Sequence, residues 1–230
     1  MNILIVGASK GIGYELAKIC LKNGDRVFAI SRTHSDLDNI QQIKADVKNL
    51  NSADFDFLPD SLDAFVYCPG SINLKPFNRF TKDDFIDDML LNVWCFNFCV
   101  QNILSRLKKS EKSSIVAFST VAVKIGMPYH SLVSASKGAL EGICRSLAAE
   151  LAPQIRVNLI APSITDTPLA AKILSTEDKK KSSAMRHPLQ SIGEANDIAE
   201  MAYFLASTKS KWITGQVFCV DGGLSTIKLL

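Results

Sequence analysis

Residues 2–13 read Asn-Ile-Leu-Ile-Val-Gly-Ala-Ser-Lys-Gly-Ile-Gly, and they carry the strongest indication of fold class in the chain. An apolar run at 3–6 leads directly into three closely spaced glycines, and a helical pattern follows at 11–23. In such a strand–turn–helix unit the glycines permit a tight turn, a close approach of backbone to a pyrophosphate, and close packing of helix on strand. The N-terminus of the helix favours an anion, because its N–H groups are free and its dipole is positive there. The stretch predicts a dinucleotide-binding loop, with a glycine-rich packing turn as the alternative; its residues are Gly7, Ser9, Lys10, Gly11, Ile12 and Gly13.

Short apolar segments alternate with longer helical patterns along the rest of the chain. The predicted strands lie at 3–6, 26–30, 42–45, 64–68, 114–118, 156–160 and 217–220, and the predicted helices at 11–23, 82–108, 131–151, roughly 168–175 and 195–207. The strand segments show little internal alternation, which is typical of strands buried on both faces of a parallel sheet. We therefore predict an α/β fold, a Rossmann-type doubly wound parallel β-sheet of about seven strands flanked by helices. A single domain is expected to span 1–230, with a polar substrate lid around 163–192.

Composition and charge restrict the possible partners. The chain has 230 residues, 47% of them apolar, and a net charge of +3, too small to indicate a nucleic-acid or membrane partner. No stretch approaches the roughly 18 apolar residues of a membrane span. Six cysteines lie in apolar segments without a C-x-x-C pair, a pattern typical of reduced thiols in the cytoplasm. We therefore expect a cytoplasmic protein. The sequence also shows no metal-ligand spacing, so no metal site is expected.

Several further motifs extend over nearly the whole chain. They are Asp46-Val47 after the third strand, Leu91-Asn92-Val93, the Ala135-Ser136-Lys137-Gly138 segment, 156–162 with Thr167, and 212–223. Together with the glycine loop, these motifs resemble the short-chain dehydrogenase/reductase family. The resemblance implies that Asp46 and Val47 contact the adenine, and that Gly70, Lys137, Pro162 and Thr167 lie beside the nicotinamide and its ribose. Two departures stand near the cofactor: Cys68-Pro69-Gly70 replaces the family's Asn-Ala-Gly, and Pro162-Ser163 replaces its Pro-Gly.

The resemblance also implies an incomplete catalytic set. In the family a serine polarises the substrate carbonyl, a tyrosine transfers the proton, a lysine lowers the tyrosine pKa, and an asparagine anchors a water relay. Lys137 and Asn92 match the last two, and Thr120, next to Ser119, keeps a hydroxyl at the serine position. The tyrosine position is Val133, which cannot transfer a proton. Losing a positioned general acid typically lowers the rate by about 10²–10⁴-fold.

Two neighbouring residues are candidates for the missing acid. The enoyl-reductase branch of the superfamily places its tyrosine seven residues before the lysine, which is His130 here, and Tyr129 is adjacent. Histidine titrates near neutral pH and can act as an acid. The competing interpretation is a solvent-exposed loop histidine beside a surface or packed tyrosine. A third position, His187, is expected at the end of the lid, with no chemistry assigned to it.

The end of the second strand indicates which dinucleotide binds. An acidic residue there would bind a ribose 2′-hydroxyl and repel a 2′-phosphate, but the residues are Ser31 and Arg32. By family analogy Arg32 and Lys10 face the adenosine ribose, and each charge-assisted bond to a phosphate contributes roughly 1.5–3 kcal/mol. We therefore predict NADP(H) over NAD(H). Asp36 and Asp38 lie nearby and oppose this choice.

Two functional classes remain open at this point. The first is an NADP(H)-dependent oxidoreductase that acts on a small-molecule carbonyl or enoyl substrate with an altered active site. The second is a catalytically silent NADP(H)-binding protein with a sensor or structural role.

The resemblance further implies a homo-oligomer, a dimer or tetramer. Part of its interface would be the helix that contains Trp94, Phe96, Phe98, Val100 and Ile103, although core packing would also require this apolar face.

Overall fold

Seven parallel strands form the central sheet of the computed structural model, which describes residues 1–228. The strands of this sheet are β1 (Asn2–Val6), β2 (Arg26–Ser31), β3 (Ile40–Lys44), β4 (Ala64–Tyr67), β5 (Ser113–Phe118), β6 (Ile155–Pro162) and β9 (Val217–Val220). Their order across the sheet is β3-β2-β1-β4-β5-β6-β9. The chain reverses direction across the sheet between β3 and β4, and ligands of doubly wound sheets bind at such a switch point.

Helices cover both faces of the sheet. They are α1 (Gly11–Lys22), α2 (Lys82–Met89), α3 (Cys95–Lys108), α4 (Ser131–Leu151), α5 (Glu177–Ala184) and α6 (Ala195–Ala206). Alternate residues of β1 enter different cores: Leu4 and Val6 pack with α3 and α4, whereas Ile3 and Ile5 pack with α1 and α6. Because both faces are buried, the strands carry continuous apolar runs. The predicted α/β doubly wound fold is confirmed.

The segment predicted as one helix at 82–108 contains a local irregularity. The backbone stays helical throughout, but a π-helical turn, Leu90–Trp94, separates α2 from α3. The extra residue in such a turn rotates the following side chains relative to a regular helix, and π turns occur frequently at functional sites. Asn92 lies in this turn and is fully buried.

The helix predicted at roughly 168–175 is wrong. The structure has a single 3-10 turn, Pro168–Ala170, and the helix of this region is α5, several residues later. Thr176 caps α5 by accepting a hydrogen bond from the backbone N–H of Lys179, and the acidic Glu177 and Asp178 suit the positive end of the helix. The helix is polar almost all round, so it lacks the apolar periodicity on which the prediction relied.

A two-residue parallel ladder joins the two ends of the segment predicted to be a lid. Strand β7 (Thr165–Asp166) pairs with β8 (Gly193–Glu194), so the two ends of the segment 163–192 lie side by side. Among residues 1–228, none of the helices is both long enough and apolar enough to cross a membrane.

Candidate active site

The glycine loop forms a cradle of bare backbone at the N-terminus of α1. Gly7 and Gly11 adopt φ angles of 89° and 59°, a region that side-chain-bearing residues rarely enter. A Cβ atom on Gly13 would overlap the carbonyl oxygen of Gly7, so only glycine allows the helix to approach the strand this closely. The helix start at Lys10 has no side-chain cap, and the first turn contains no acidic residue. The free N–H groups therefore fit a pyrophosphate.

The loop is held in place by the end of β2. The backbone N–H of Gly7 donates to the carbonyl oxygen of Ile30 at 2.8 Å, and that of Ala8 donates to Ser31 Oγ at 2.9 Å. Ser31 is buried, and its hydroxyl supports the backbone of the loop through this hydrogen bond. Arg32, directly after β2, and Lys10, directly before α1, are both exposed.

Other residues of the predicted adenosine site are held by local hydrogen bonds. Thr33 Oγ1 donates to Ser9 Oγ at 3.1 Å, which joins the glycine loop to the segment after β2. The carboxylate of Asp46 accepts from the backbone N–H of Lys48 at 3.0 Å and caps the short turn that contains Val47, a buried residue. The aspartate therefore has a structural role in addition to any contact with adenine.

A cavity of about 300 Å³ extends from the glycine loop to the segment 163–192. The predicted residues that line it are Ile12, Gly70, Thr120, His130, Val133, Lys137, Pro162 and Thr167. Tyr129 is not among its lining residues: its side chain is 60% exposed and its φ angle is 68°. The structure therefore brings His130, but not Tyr129, to the cavity.

Val133 and Lys137 lie one turn apart on α4 and both face this cavity. Ser134 Oγ donates to the carbonyl oxygen of Ala122 at 2.9 Å, which ties α4 to the turn that begins at Thr120. Thr120 Oγ1 accepts from the backbone N–H of Ala122 and keeps its own O–H free to donate. Ser119 does not have this freedom, because its hydroxyl donates to Glu141 Oε1 at 2.6 Å.

Lys137 is a buried lysine, with 5% of its surface exposed. Burial lowers its pKa to about 8, and the negative charge of Asp88 opposes this shift. Its Nζ atom lies 3.5 Å from the point that a Cβ on Gly70 would occupy, and Asn92 Oδ1 lies 3.8 Å from the same point. Lys137 Nζ and Asn92 Oδ1 therefore both lie close to Gly70, beside the predicted nicotinamide site.

Asp88 is the centre of a buried polar network that the sequence patterns did not predict. One carboxylate oxygen accepts from Ser71 Oγ and the other accepts from Ser136 Oγ at 2.6 Å. Asn92 Nδ2 donates to the Asp88 carbonyl oxygen at 3.0 Å, and its Oδ1 is buried without a donor in the described part of the chain. Such an acceptor fits the water-anchoring role implied for Asn92. The available signal was a carboxylate one helical turn before Asn92, on the same side of the helix.

Ser163 and His187 form a hydrogen-bonded pair on the cavity wall. Ser163 Oγ lies 2.8 Å from His187 Nε2, and His187 Nδ1 lies 2.9 Å from the carbonyl oxygen of Ser183. The histidine is 3% exposed. The sequence assigned no chemistry to His187, and the 24 residues that separate the pair left no local pattern to detect. Within residues 1–228, no cluster of potential metal ligands was found.

Known proteins resemble this chain over nearly its full length. A family model described as enoyl-(acyl carrier protein) reductase matches residues 7–225. A tropinone reductase homologue of Arabidopsis thaliana is 31% identical over 98% of this chain and 93% of its own length. The L-xylulose reductase of Bos taurus is 31% identical over 96% of this chain and 94% of its own length.

Solved structures share the fold as well as the sequence pattern. A short-chain dehydrogenase family protein from Francisella tularensis superposes with a TM-score of 0.88 at 28% identity, covering 98% of this chain and 99% of that protein. ElxO with NADP bound superposes with a TM-score of 0.88 at 30% identity and the same coverage. The match of the family model and of relatives at 31% identity over nearly complete chains shows the family. The chain belongs to the short-chain dehydrogenase/reductase family and is an oxidoreductase of that type.

Proposed function

We propose that this protein is an NADP(H)-dependent oxidoreductase that reduces a small-molecule carbonyl or enoyl compound in an active site without the usual tyrosine. One observation carries the proposal: a single cavity joins Ile12 of the glycine loop to Lys137, Thr120 and the lid. A substrate in this cavity would lie between the cofactor cradle and a hydroxyl donor. The similarity to reductases, and to ElxO with NADP bound, supports the same conclusion.

The proposed cofactor contacts come from several segments between the glycine loop and Thr167. The backbone of Gly7, Ser9, Gly11, Ile12 and Gly13 would hold the pyrophosphate, Asp46 and Val47 the adenine, and Gly70, Lys137, Pro162 and Thr167 the nicotinamide ribose and ring. When bound, the reduced nicotinamide supplies a hydride for the substrate carbon. Thr120 would then donate a hydrogen bond to the substrate oxygen, on which negative charge develops.

Val133 makes proton delivery the unusual step. An enoyl substrate tolerates the missing tyrosine better than a ketone does, because its enolate can be protonated later by solvent. Lys137, with a pKa of about 8, still carries a proton at neutral pH and lines the cavity. His130 lines the cavity too, although its Nδ1 atom lies 2.7 Å from the carbonyl oxygen of Pro128.

The function is tested by NADPH oxidation with a panel of probe substrates. L-xylulose and tropinone represent the carbonyl class, and a crotonyl thioester represents the enoyl class. We expect the purified protein to oxidise NADPH with at least one of these probes. Binding of NADPH without oxidation by any probe would support the alternative, a silent NADP(H)-binding protein, which the apolar Val133 favours.

Arg32 is proposed to select NADP(H) together with Lys10. We expect Arg32→Ala to weaken NADPH binding by roughly 10–100-fold, because one charge-assisted bond to the 2′-phosphate is lost. NADH binding should change little, and Arg79→Ala, which removes another exposed arginine, serves as the matched control. The measurement is fluorescence titration with both cofactors. Tighter binding of NADH than NADPH by the unaltered protein would contradict the assignment.

Lys137 predicts a pH dependence of cofactor binding. Its pKa is lowered to about 8, so the ammonium form dominates below that pH and is lost as the pH rises through it. Because the ammonium group donates to the ribose hydroxyls, NADPH affinity is expected to fall above about pH 8. Lys137→Arg keeps the charge at all accessible pH values and should flatten this dependence. Titrations from about pH 6 to about pH 10 measure the effect, and identical profiles for both proteins would refute it.

Other features of the chain complete the proposal. We propose a single dinucleotide-binding domain over 1–230 with a substrate lid around 163–192, and a cytoplasmic location, which the six free cysteines support. We also propose a homo-oligomer, a dimer or tetramer. Phe96, Val100 and Ile103 belong to the core, but Trp94 is 54% exposed, so part of this helical face is available for association.

A further inference from the structure

We propose that Ser163 and His187 form the proton-delivery pair that replaces the tyrosine, an inference that rests on the proposed reductase function. Ser163 would donate its hydroxyl proton to the substrate oxygen, and the His187 imidazolium would restore that proton. Both residues line the cavity shared by Thr120 and Lys137. The pair therefore supplies a hydroxyl that is hydrogen-bonded to an imidazole, and so a source of protons that the side chain of Val133 cannot provide.

The hydrogen-bond partners fix the arrangement of protons on the histidine. His187 Nδ1 faces the carbonyl oxygen of Ser183, which can only accept, so Nδ1 carries a hydrogen. In the neutral ring Nε2 is then the acceptor, and the hydroxyl of Ser163 donates to it across 2.8 Å. When the ring is protonated, the Nε2–H donates to Ser163 Oγ, and the serine proton is free to turn toward the cavity.

The fold brings Ser163 to the same edge of the sheet as Thr120, the residue proposed to bind the substrate oxygen. Strands β5 and β6 are parallel neighbours, with Phe118 opposite Ile160, so the residues that follow them emerge at the same edge of the sheet. Thr120 follows β5, and Ser163 directly follows Pro162, the last residue of β6. Two hydroxyl groups, one from each strand end, therefore line the same cavity.

The histidine reaches this edge from the lid. His187 comes three residues after Ala184, the last residue of α5, and packs against Gly222, where a Cβ would lie 3.4 Å from the histidine Cβ. His187 is almost fully buried, so its imidazole is shielded from bulk water, whereas Ser163 is half-buried. The other histidine on the cavity wall, His130, is only partly buried and follows the exposed Tyr129.

The proposed step balances in atoms and charge. The nicotinamide hydride forms the new bond to the substrate carbon, and the π electrons of the carbonyl move to its oxygen. That oxygen takes the proton of Ser163 Oγ, and the serine takes the proton of His187 Nε2. The histidine ends neutral with its hydrogen on Nδ1, and solvent returns one proton after product release.

Kinetics with the best substrate of the probe panel test the catalytic part of this proposal. We expect His187→Gln and Ser163→Ala each to lower kcat by about 10²-fold, with KM and NADPH affinity nearly unchanged. The double variant should lose no more than either single variant, because the two groups act in series. His34→Gln, which removes an exposed histidine, is the control and should retain full activity.

The choice of glutamine separates catalysis from a structural link between lid and sheet. Its amide nitrogen can still donate to Ser163 Oγ but cannot exchange a proton, so full activity of His187→Gln would overturn the proposal in favour of a structural role. The unaltered protein should also show a solvent deuterium isotope effect on kcat that His187→Gln alters. Failure of the unaltered protein to turn over any probe would instead refute the proposed function, together with this inference.

A measurement without turnover tests the geometry. The chain has three histidines, so ¹⁵N spectra of labelled protein contain three imidazoles, which His34→Gln and His130→Gln assign. We expect neutral His187 to carry its hydrogen on Nδ1 and Ser163→Ala to shift its Nε2 signal. A hydrogen on Nε2 in the neutral ring, or an unchanged signal in Ser163→Ala, would overturn the proposal even if activity changed.

Discussion

Val133→Tyr is expected to raise the turnover of a ketone probe by about 10²–10⁴-fold where His187→Gln has disabled the Ser163–His187 pair, and by less where the pair is intact, because a positioned general acid usually contributes that factor once. Val133 is 7% exposed, lines the cavity and lies one helical turn before Lys137. A tyrosine there would extend into the cavity of about 300 Å³, which Thr120 also lines. The positive charge of Lys137 would favour the ionised phenol and so ease proton transfer.

The control for this gain is Val133→Phe. Phenylalanine fills the same space as tyrosine without the hydroxyl, so it separates proton transfer from any effect of packing. We expect Val133→Phe to bind NADPH and to reduce the ketone no faster than the unaltered protein. An equal gain in both variants would show that the ring, not the acid, matters. No gain with tyrosine even in the His187→Gln variant would mean that other parts of the site also differ from a working ketone reductase, which would favour the silent alternative.

The tyrosine variant also connects with the Ser163–His187 pair. If the pair delivers the proton only because the tyrosine is missing, a restored tyrosine should make it redundant. We therefore expect His187→Gln to be costly in the original chain and nearly neutral when combined with Val133→Tyr. An undiminished loss in the combined variant would assign the histidine to binding or lid structure. Stopped-flow measurement of NADPH oxidation in the four proteins gives the comparison.

The sequence predicted the parts of this molecule that depend on short-range patterns. Residues 3–6 of β1 are all apolar because Leu4 and Ile5 enter different cores, and such continuous runs indicate a parallel sheet. The glycine loop was equally predictable, because the close approach of α1 to β1 at Gly13 excludes every other residue. Both features are encoded within about a dozen consecutive residues.

The sequence did not reveal the parts of the site that depend on distant residues. Asp88 receives hydrogen bonds from Ser71 and Ser136, and the second of these is 48 residues away. His187 meets Ser163 only because α5 returns the chain to the end of β6. Helix α5 itself was misplaced, because its polar surface carries no periodic signal and its start depends on capping by Thr176. Such contacts follow from tertiary packing, which local patterns do not encode.

Gly13→Ala is expected to abolish measurable NADPH binding and to destabilise the fold. The new Cβ atom would overlap the carbonyl oxygen of Gly7 and lie 3.0 Å from its carbonyl carbon and 3.1 Å from Cys68 Sγ. Since two of these three atoms are backbone, no rotation of a flexible side chain relieves the collision, and α1 must move away from β1. Overpacking of a tight site costs about 1–3 kcal/mol or more in unfolding free energy. The displaced helix would also withdraw its free N–H groups from the pyrophosphate.

Gly142→Ala provides the matched control for this substitution. Gly142 lies within α4 and is exposed, and a Cβ atom there would meet nothing within 4 Å beyond its chain neighbours and the backbone of its own helix. Alanine favours a helix over glycine by up to about 1 kcal/mol, so this variant should be as stable as the unaltered protein or slightly more stable, with NADPH binding unchanged. Chemical denaturation and fluorescence titration measure both quantities. If Gly13→Ala bound NADPH as Gly142→Ala does, the N-terminus of α1 would not be the pyrophosphate site, and the cofactor assignment of the whole cavity would fail with it.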